Sequence, residues 1–500
     1  MTNYLYDTLL SPNVDNNSCF LSSNGSEICF TQFCASAAQI AHTLTALGVT
    51  AGDRVVVQAE KSPQMVMLYA ASIQSGAVFL PLNTGYTHDE LSYFITDSTP
   101  KIIVCDEKSK SQLSPLAEEV GARLLTLNAD GTGGLTEMSL SQPMQFDPVP
   151  RGPDDLAALL YTSGTTGRSK GAMLTHKNLA ANAQTLVETW QITDADTLIH
   201  ALPIFHTHGL FVAMNTALIA GAKVNFMRSF DLSAIVQVLP TSTLMMGVPT
   251  FYTRLLRDDR LDKNLVKNMR LFISGSAPLL AETHDAFALR TDHRILERYG
   301  MTETNMNTSN PYNGDRIAGT VGLPLAGTDV RLTNPETGAT LHDGEIGMIE
   351  VRGPNVFKGY WNMPEKTAEE LRADGFFITG DLGQFNDDGY LSIVGRQKDL
   401  IITGGYNVYP KEIEDVLNDV DGVEESAIFG VPHPDFGEMI IAAIVAEKGV
   451  DLDIKAVEQM MTNKLARFKH PRAFKIIPSL PRNTMGKVQK NILRKTHLNP

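Results

Sequence analysis

The chain has 500 residues, 43% of them apolar and 20% charged, and its formal net charge is −14. This length is too great for one ordinary hydrophobic core and predicts about two to four domains, with a composition typical of folded proteins. The acidic balance argues against nucleic acid as a partner of the whole chain, and the four cysteines, with no Cys-x-x-Cys pair, argue against a structural zinc site.

The N-terminal segment bears on where the protein works. It reads MTNYLYDTLLSPN, which lacks the basic and apolar regions of a secretory signal and the arginines of a transit peptide. No run of about eighteen apolar residues occurs in the chain, so we expect no membrane-spanning helix. Unpaired cysteines are typical of a reducing compartment. Together these features predict a cytoplasmic protein with no membrane partner.

The first quarter of the chain alternates between helical and strand patterns. Thr31 is a candidate cap for a helix ended by Gly48, and Ser62 followed by a proline predicts the start of a second helix. Strands are expected at 54–58, 77–80 and 101–105. Alternation of this kind predicts crossover units on a largely parallel sheet. A stretch rich in Gly, Pro and polar residues, 131–153, then connects this part to the next.

A loop rich in glycine and hydroxyl groups, YTSGTTGRSKG at 161–171, follows the apolar run 156–160. Glycines let backbone N–H groups approach an anion, hydroxyls donate further hydrogen bonds and a lysine offsets the charge, so the loop predicts a phosphate site. Its candidate phosphate-binding residues are Thr162, Ser163, Gly164, Thr165, Thr166, Gly167 and Lys170. Two weaker alternatives are a hydrolase nucleophile at Ser169, from the Gly-x-Ser-x-Gly pattern, and a surface linker.

The alternation resumes after the loop. Thr175 is expected to cap a helix with one apolar face, and buried strands are expected at 223–227, 244–247 and 271–274. A further strand, 295–299, leads into a polar cluster made of Gly300, Met301, Thr302 and Glu303. Ligands of open parallel sheets lie beyond the carboxyl ends of the strands, so this cluster and the phosphate loop are expected to share a crevice.

The pattern changes from about residue 321. Short strands with Gly-rich turns, for example at 344–352 and 389–394, predict a small antiparallel β subdomain. A charged stretch at 395–399 precedes a compact unit whose tail, 464–495, has ten basic residues and no acidic one. Such a run is either a solvated face or the surface of a lid that brings positive charge to an anionic site.

Five ordered motifs resemble those of the adenylate-forming acyl-CoA synthetases. They are YTSGTTGRSKG at 161–171, YGMTE at 299–303, TGD at 379–381, GRQKDLIITGGYNVYPKEIE at 395–414 and PRNTMGK at 481–487. The resemblance covers essentially the whole chain and implies an α/β fold. A large N-terminal domain, 1–397, would contain two doubly wound α/β subdomains and a small β-barrel-like subdomain. A small mobile α+β domain, 398–500, would carry the catalytic lysine.

The same resemblance implies a two-step reaction. A carboxylate and Mg-ATP give an acyl-adenylate and pyrophosphate, and the thiol of coenzyme A then displaces AMP. At the matching positions of this chain, Thr302 would contact the α-phosphate and Glu303 would hold Mg²⁺ with Thr162 beside it. Tyr299 would stack on adenine, next to Gly300 and Met301.

Residues in the last quarter of the chain would complete the nucleotide site. Asp381, assisted by Arg396, would bind the ribose hydroxyls, and Lys487 would bridge the α-phosphate and the carboxylate during adenylation. A cation between two anions lowers their repulsion as they approach. Lys398 stands where the family has its domain hinge, and rotation there would bring Gly404 and Gly405 to the site for the coenzyme A step.

Within the family, the segments LPIFHTHGLF, RLFISGSAPLL and LERYGMTETNMNTSNPY are most similar to members that activate malonate. Arg298 precedes Tyr299 where relatives for bulky apolar acids have a small residue, and an arginine facing an acyl pocket needs an anionic partner. We expect that partner to be a second carboxylate, of malonate first and methylmalonate next, unless a salt bridge to Glu297 satisfies the arginine. His206 is a candidate catalytic residue and is expected to form a wall or gate of the acyl pocket. Ser274 is expected to donate a hydrogen bond to the acid.

Other functions stay open on the sequence alone. The same fold could activate another short-chain or aryl acid, Ser169 could belong to a serine hydrolase, and the chain could bind nucleotide without catalysis. The presence of both Glu303 and Lys487 favours catalysis, because simple binding requires neither. The expected partners are the small molecules malonate, ATP and coenzyme A, and the sequence does not distinguish a monomer from a dimer.

Overall fold

A computed structural model describes residues 3–162, 169–342, 344–403, 406–434, 437–465, 467–483 and 486–498. The chain divides into two compact units. The first comprises Met1–Asp329 and Val351–Phe377, and the second Val330–Glu350 and Ile378–Pro500. Much of the expected β subdomain therefore belongs to the second unit, while the domain boundary after residue 397 stays a prediction.

The first unit alternates helices with strands, as the sequence predicts. Its helices are α1 (Tyr4–Leu9), α2 (Phe30–Ala46), α3 (Pro63–Gln74), α4 (His88–Ser98), α5 (Lys110–Val120), α6 (Gly134–Ser139), α7 (His176–Trp190), α8 (Asn215–Ala220), α9 (Leu232–Val238), α10 (Pro249–Leu256), α11 (Ala281–Thr291) and α12 (Pro364–Glu370). A π-helix, His208–Met214, leads directly into α8, and 3₁₀ turns lie at Ser11–Asn13, Glu107–Ser109 and Leu239–Thr241.

The strands of the first unit form two sheets. They are β1 (Cys19–Ser23), β2 (Ser26–Cys29), β3 (Arg54–Gln58), β4 (Val78–Pro81), β5 (Ile102–Cys105), β6 (Arg123–Thr126), β7 (Leu156–Thr162), β8 (Lys170–Thr175), β9 (Thr197–His200), β10 (Lys223–Phe226), β11 (Leu244–Gly247), β12 (Leu271–Ser274), β13 (Leu296–Met301), β14 (Asn305–Ser309) and β15 (Leu323–Pro324). Over the described ranges, the sheet orders are β6-β5-β3-β4-β7-β8 and β15-β14-β13-β12-β11-β9-β10-β1-β2.

Both sheets are parallel in their interior and antiparallel at an edge. β3, β4 and β5 pair in parallel, whereas β8 runs antiparallel to β7. In the larger sheet β9 to β13 are parallel, and β14 turns back along β13. The interior strands are almost entirely buried, since helices cover both faces of such sheets. The expected α/β fold is thereby confirmed.

Local capping fixes where the helices begin. The Ser62 side chain accepts a hydrogen bond from the Met65 N–H at the start of α3, and Thr175 does the same for Asn178 at the start of α7. The cap expected at Thr31 is wrong, because Cys29 caps α2 and Thr31 lies inside the helix. The Thr31 hydroxyl instead donates to the Asn16 carbonyl over 2.8 Å.

The second unit contains two further sheets. Its strands are β16 (Asp329–Thr333), β17 (Gly347–Arg352), β18 (Phe377–Phe385), β19 (Leu391–Arg396), β20 (Ile401–Thr403), β21 (Tyr406–Val408), β22 (Val423–His433), β23 (Gly437–Ala446) and β24 (Ala473–Ile476). Its helices are α13 (Pro410–Asn418), α14 (Ile454–Lys464) and α15 (Lys490–Leu498), with 3₁₀ turns at Gln397–Asp399 and Arg467–Lys469.

The first of these sheets has the order β16-β17-β18-β19, and the second has β21-β20-β23-β22 with β24 on β23. The second sheet is buried on both faces by apolar side chains, one cluster centred on Ile413 and Ile428 and the other on Phe429 and Leu480. Over the described ranges of the whole chain, no helix is both long enough and apolar enough to cross a membrane.

Candidate active site

The predicted phosphate loop joins two antiparallel strands. β7 and β8 pair with Thr162 opposite Lys170, and the loop between them contains 163–168. Five of the predicted phosphate-binding residues lie outside the described residues, namely Ser163, Gly164, Thr165, Thr166 and Gly167. Ser169 leads into a strand, so it does not stand on the strand-to-helix turn that a hydrolase nucleophile requires.

The predicted polar cluster forms the tip of the β13–β14 hairpin. Thr302 and Glu303 lie in the turn, directly after Met301 at the end of β13. A Cβ at Gly300 would stand 1.9 Å from the Asn305 carbonyl oxygen, so only glycine fits at this position. The hairpin therefore fixes the backbone from which Thr302 and Glu303 project.

Two further contacts anchor this hairpin. The Glu303 carbonyl accepts a hydrogen bond from the Phe357 N–H over 2.8 Å, and Tyr299 pairs with Thr308 across the hairpin. Tyr299 is 7% exposed. Tyr299 is therefore a buried residue, and its stacking on adenine stays a prediction.

The buried Glu303 carboxylate contacts two hydroxyl groups. Its Oε1 lies 3.1 Å from the Tyr360 hydroxyl and 3.5 Å from the Thr162 hydroxyl. Carboxylate and hydroxyl oxygens suit Mg²⁺, which commonly binds one or two protein carboxylates and completes its shell with water and substrate phosphates. Over the described ranges, no cluster of three or more His, Cys, Asp or Glu residues forms a self-contained metal site. The donor set fits a metal that arrives with its nucleotide.

Lys170, predicted to contact phosphate, has protein partners. Its ammonium lies 3.1 Å from both carboxylate oxygens of Glu370 and 3.1 Å from the Tyr360 hydroxyl. The ammonium also lies over the Tyr360 ring, 4.2 Å from its centroid. Lys170 is 9% exposed, so it is held within the protein and does not extend freely toward the loop.

Arg298 is a buried cation with incomplete hydrogen bonding. It is 3% exposed, and its Nε and Nη2 have no hydrogen-bond partner in the part of the chain that the structure describes. The guanidinium lies against Gly275, where an added Cβ would be 2.4 Å from Cζ. Burial lowers the pKa of Arg298 to about 10, which still leaves it charged at neutral pH.

The alternative partner of Arg298 faces elsewhere. Consecutive residues of a strand point to opposite faces of the sheet. Glu297, the neighbour of Arg298 on β13, accepts a hydrogen bond from the Leu279 N–H over 3.0 Å through its Oε1. This contact places the Glu297 carboxylate on the other face from the guanidinium.

Histidine and serine side chains lie near the guanidinium. Burial and the charge of Arg298 lower the pKa of His206 to about 4, and the pKa of His208 is also lowered. The His206 Nδ1 accepts a hydrogen bond from the His208 N–H over 3.2 Å, and the His208 Nδ1 lies 3.1 Å from the Ser276 hydroxyl. Both imidazoles are therefore neutral at pH 7, which suits a pocket wall.

Ser274, predicted to contact the acid, ends β12 beside Glu297 on β13. Its buried hydroxyl has no hydrogen-bond partner among the described residues, as is also true of the His208 Nε2. Buried polar atoms without a partner are rare and indicate a ligand or water. The charge of Arg298 thus acts on His206 and His208. Ser274, in register with Glu297, lies on the opposite face of the sheet from Arg298, and its contact with the acid stays a prediction.

In the second unit, Asp381 and Arg396 form a pair across two strands. They are opposite each other on β18 and β19, and the Arg396 Nε lies 2.6 Å from the Asp381 Oδ1. The Asp381 N–H donates to the Thr379 hydroxyl, which in turn donates to the Ile349 carbonyl. The two residues predicted to bind ribose are therefore held together before any ligand arrives.

Lys487 lies in a tight turn closed by Asn483. The Lys487 N–H donates to the Asn483 side chain and the Asn483 N–H to the Lys487 carbonyl, both over 3.0 Å. Gly486 has a φ of 76°, a conformation that favours glycine. Water reaches the Lys487 side chain, yet crowding of its ammonium by protein and repulsion from Arg396 lower its pKa to about 8.

The other predicted residues of this unit are only partly described. Lys398 is exposed in the 3₁₀ turn Gln397–Asp399, while Gly404 and Gly405 lie outside the described residues. Several cations of the basic tail are paired with acids of the same unit. These pairs are Lys464 with Asp419, Lys469 with Glu412, Lys490 with Glu414 and Arg494 with Asp399.

Several side chains of the site carry no signal in the sequence. Tyr360 and Glu370 contact Glu303 and Lys170 from positions far along the chain, and Ser276 contacts His208. Of the two histidines at 206 and 208, only His206 was singled out from the sequence. Nothing short of the folded structure could have shown Tyr360 and Glu370.

Comparisons with known proteins agree with this geometry. A family model described as AMP-binding enzyme matches residues 13–361, and one described as AMP-binding enzyme C-terminal domain matches 412–487. A malonate–CoA ligase of Arabidopsis thaliana is 35% identical over 482 residues, covering 90% of this chain and 79% of the relative. A feruloyl-CoA synthase of Amycolatopsis is also 35% identical and covers 94% of both chains. Among solved structures, ATP-bound MatB from Rhodopseudomonas palustris is 53% identical with a TM-score of 0.97, covering 99% of each chain.

Proposed function

The chain belongs to the AMP-binding enzyme family, and from this premise we propose that it joins malonate to coenzyme A with ATP. The reaction passes through malonyl-adenylate and gives malonyl-CoA, AMP and pyrophosphate. Three lines support the proposal: the ATP-bound MatB structure, the malonate–CoA ligase relatives and the buried, incompletely paired Arg298.

In the first step a malonate oxygen attacks the α-phosphorus, and the bond from that phosphorus to pyrophosphate breaks. A carboxylate needs no general base, so the protein's task is to position two anions and offset their charge. Thr302 would contact the α-phosphate, and Lys487 would lie between that phosphate and the carboxylate. Glu303 and Thr162 would hold Mg²⁺. Bound there, Mg²⁺ neutralises charge on the phosphates.

In the second step the thiol of coenzyme A loses its proton and attacks the malonyl carbonyl, and the bond from that carbon to the AMP oxygen breaks. Asp381 and Arg396 would keep the ribose of the adenylate in place through both steps. Lys398 is proposed as the hinge between them, and Gly404 and Gly405 as contacts for coenzyme A.

Arg298 is the observation that favours malonate. A buried guanidinium costs several kcal/mol unless an anion or full hydrogen bonding compensates it. The free Nε and Nη2 are the pair of donors that a carboxylate accepts side by side. Malonate would place one carboxylate there, with His206 beside it, and leave the other for adenylation. Methylmalonate adds a single methyl group and is the next candidate.

A second candidate is a CoA ligase for another short-chain or aryl acid. The 35% identity to a feruloyl-CoA synthase supports this alternative. An aromatic acid has no second carboxylate for Arg298 and would leave the buried cation unpaired. The malonate assignment is therefore the stronger one. We further propose a cytoplasmic location, supported by four cysteines that are all free.

A panel of acids tests the assignment. The enzyme is supplied with Mg-ATP and coenzyme A, and pyrophosphate release is measured with malonate, methylmalonate, succinate, acetate, octanoate and ferulate. We expect kcat/KM to be highest for malonate and the thioester product to have the mass of malonyl-CoA. Preference for ferulate or octanoate over malonate would overturn the assignment and retain the family chemistry.

A further inference from the structure

The contacts around Tyr360 connect two residues of the proposed nucleotide site. The Tyr360 hydroxyl lies 2.6 Å from the Glu370 Oε2, 3.1 Å from the Glu303 Oε1 and 3.1 Å from the Lys170 ammonium. Tyr360 is 2% exposed, and its ring packs edge-on against Phe357. All of these residues belong to the first compact unit.

The Tyr360 hydroxyl has a single hydrogen, which determines which carboxylate it can bind most strongly. A phenol has one hydrogen to donate, yet two carboxylates lie within hydrogen-bond distance of it. The shorter contact shows that the hydrogen is shared mainly with Glu370, while the hydroxyl oxygen accepts from Lys170. The Glu303 Oε1 makes the longer of the two carboxylate contacts with the phenol, at 3.1 Å, and lies 3.5 Å from the Thr162 hydroxyl.

The Glu370 carboxylate contacts both cations of this group. Glu370 ends α12, accepts from Lys170 at 3.1 Å and lies 3.0 Å from the Lys366 ammonium. Two cations and one short phenolic hydrogen bond fix its carboxylate. Glu370 in turn fixes the ammonium of Lys170 and the hydroxyl of Tyr360, because each donates to it.

We propose that Tyr360 and Glu370 are positioning residues that set the place of Glu303 and Lys170 for Mg-ATP. Glu370 holds the phenol, and the phenol limits the rotamers of Glu303, which would orient its carboxylate for Mg²⁺. The inference rests on the proposed function in one respect, namely that Glu303 binds Mg²⁺ during adenylation. Neither Tyr360 nor Glu370 touches the reacting atoms.

Tyr360→Phe tests the inference because it removes the hydroxyl and keeps the packing of the ring. Mg²⁺ dependence of ATP binding is measured by calorimetry, without malonate or coenzyme A, so that no turnover contributes. We expect the half-saturating Mg²⁺ concentration to rise by about tenfold or more, as for loss of a group that orients a metal ligand. ATP affinity without Mg²⁺ should stay within about twofold of the wild type, and excess Mg²⁺ should restore pyrophosphate release.

Three comparisons make the result specific. Tyr69→Phe removes the hydroxyl of another fully buried tyrosine, which packs against Phe79 and Phe211, and should leave the Mg²⁺ dependence unchanged. In a Glu303→Gln background, Tyr360→Phe should have no further effect on Mg²⁺ dependence. Glu370→Gln keeps the shape of the side chain and should raise the Mg²⁺ requirement even if Tyr360→Phe fails to fold.

The inference is wrong if Tyr360→Phe or a folded Glu370→Gln has the Mg²⁺ dependence of the wild type, or if ATP affinity falls equally with and without Mg²⁺. Failure of the proposed function would look different. In that case the wild-type enzyme itself would release no pyrophosphate with malonate, whatever the behaviour of the variants.

Discussion

At the scale of single residues, Arg298 is the proposed determinant of the acid that the site accepts. Its guanidinium lies against Gly275, and its Nε and Nη2 have no partner among the described residues. A protein seldom keeps such a cation buried for stability alone, because a hydrophobic residue of similar size would cost less. This cost is the reason for proposing a substrate carboxylate as the partner of Arg298.

Arg298→Gly should separate malonate from acids with one carboxylate. We expect kcat/KM for malonate to fall about 100-fold, the effect of losing a hydrogen-bonded buried charge, while acetate and propionate change by less than about threefold. The measurement is pyrophosphate release with each acid. Arg298→Lys is the matched control, because it keeps the charge and loses the paired donors. Its kcat/KM for malonate should lie between the values of the wild type and Arg298→Gly.

Equal losses on all three acids would show that Arg298 supports the fold or the nucleotide site and does not select the substrate. A thermal melt of each variant distinguishes these causes. Loss of structure lowers the melting temperature, whereas loss of a substrate contact leaves it close to that of the wild type.

Residue identities could be predicted from the sequence only where a motif carried them. Glu303, Asp381 and Lys487 are such cases, and their roles stay predictions. Arg396 beside Asp381 and Thr162 beside Glu303 were expected because motifs carry them, whereas Tyr360, the other partner of Glu303, lies outside every motif. Lys170 was expected to face phosphate, and its contact with Glu370, two hundred positions away, depends on how the chain returns to β8.

At the scale of elements, buried strands were the easiest to predict. The expected strands at 54–58, 244–247 and 271–274 agree with β3, β11 and β12 at both ends, since continuous apolar runs leave little choice of boundary. The π-helix His208–Met214 was not predicted, because its apolar residues have no period that separates it from an α-helix. This element begins with His208, whose Nδ1 lies 3.1 Å from the Ser276 hydroxyl.

The start of α7 gives a prediction about pH. His176 is its first residue and accepts the Leu5 N–H through Nδ1 over 3.3 Å, which joins α7 to α1. Burial, assisted by the charge of Arg151, lowers the pKa of His176 to about 4 from an ordinary 6.5. As pH falls below 6.5 the unfolded state takes up a proton that the folded state does not, so folding stability is lost between pH 6.5 and about 4.

In that pH window, the titration of His176 should lower the free energy of unfolding by at most about 1.4 kcal/mol per pH unit. His200, whose pKa is lowered to about 3 mainly by burial, adds a similar effect that continues to lower pH. The unfolding midpoint of wild type and His176→Gln should be measured from pH 7 to 4. The variant should lose less stability on acidification, and identical curves would show that His176 does not titrate differently on unfolding.

At the scale of the whole molecule, the proposed reaction divides its tasks between the two compact units. Thr162, Thr302, Glu303 and Arg298 belong to the first unit, and Asp381 and Lys487 belong to the second. The basic tail was expected to be a solvated face or a lid surface. Its ion pairs with Asp419, Glu412, Glu414 and Asp399 show that part of its charge stabilises the second unit itself.

Lys487→Ala should uncouple the two steps. We expect adenylation to fall by at least about 100-fold, since a cation that offsets charge in the transition state is lost. Formation of malonyl-CoA from supplied malonyl-adenylate should change little. Stopped-flow measurements of each half-reaction check this. Equal losses in both would contradict a role confined to adenylation.

Lys487 also predicts a pH effect on the first step. With a pKa of about 8, its ammonium carries a full charge below that pH and loses it above. The adenylation rate should therefore fall as pH rises through about 8, and the alkaline limb should be absent from the residual activity of Lys487→Ala. The position of Lys398 as the hinge between the steps stays a prediction.

The most direct test of the account follows the oxygen atoms of the acid. Malonate labelled with ¹⁸O in its carboxylates is incubated with the enzyme, Mg-ATP and coenzyme A, and the nucleotide product is analysed by mass spectrometry. If malonyl-adenylate is the intermediate, the oxygen that attacked phosphorus remains with the nucleotide, and each AMP carries one labelled oxygen. Unlabelled AMP, or ADP with the label in inorganic phosphate, would contradict it.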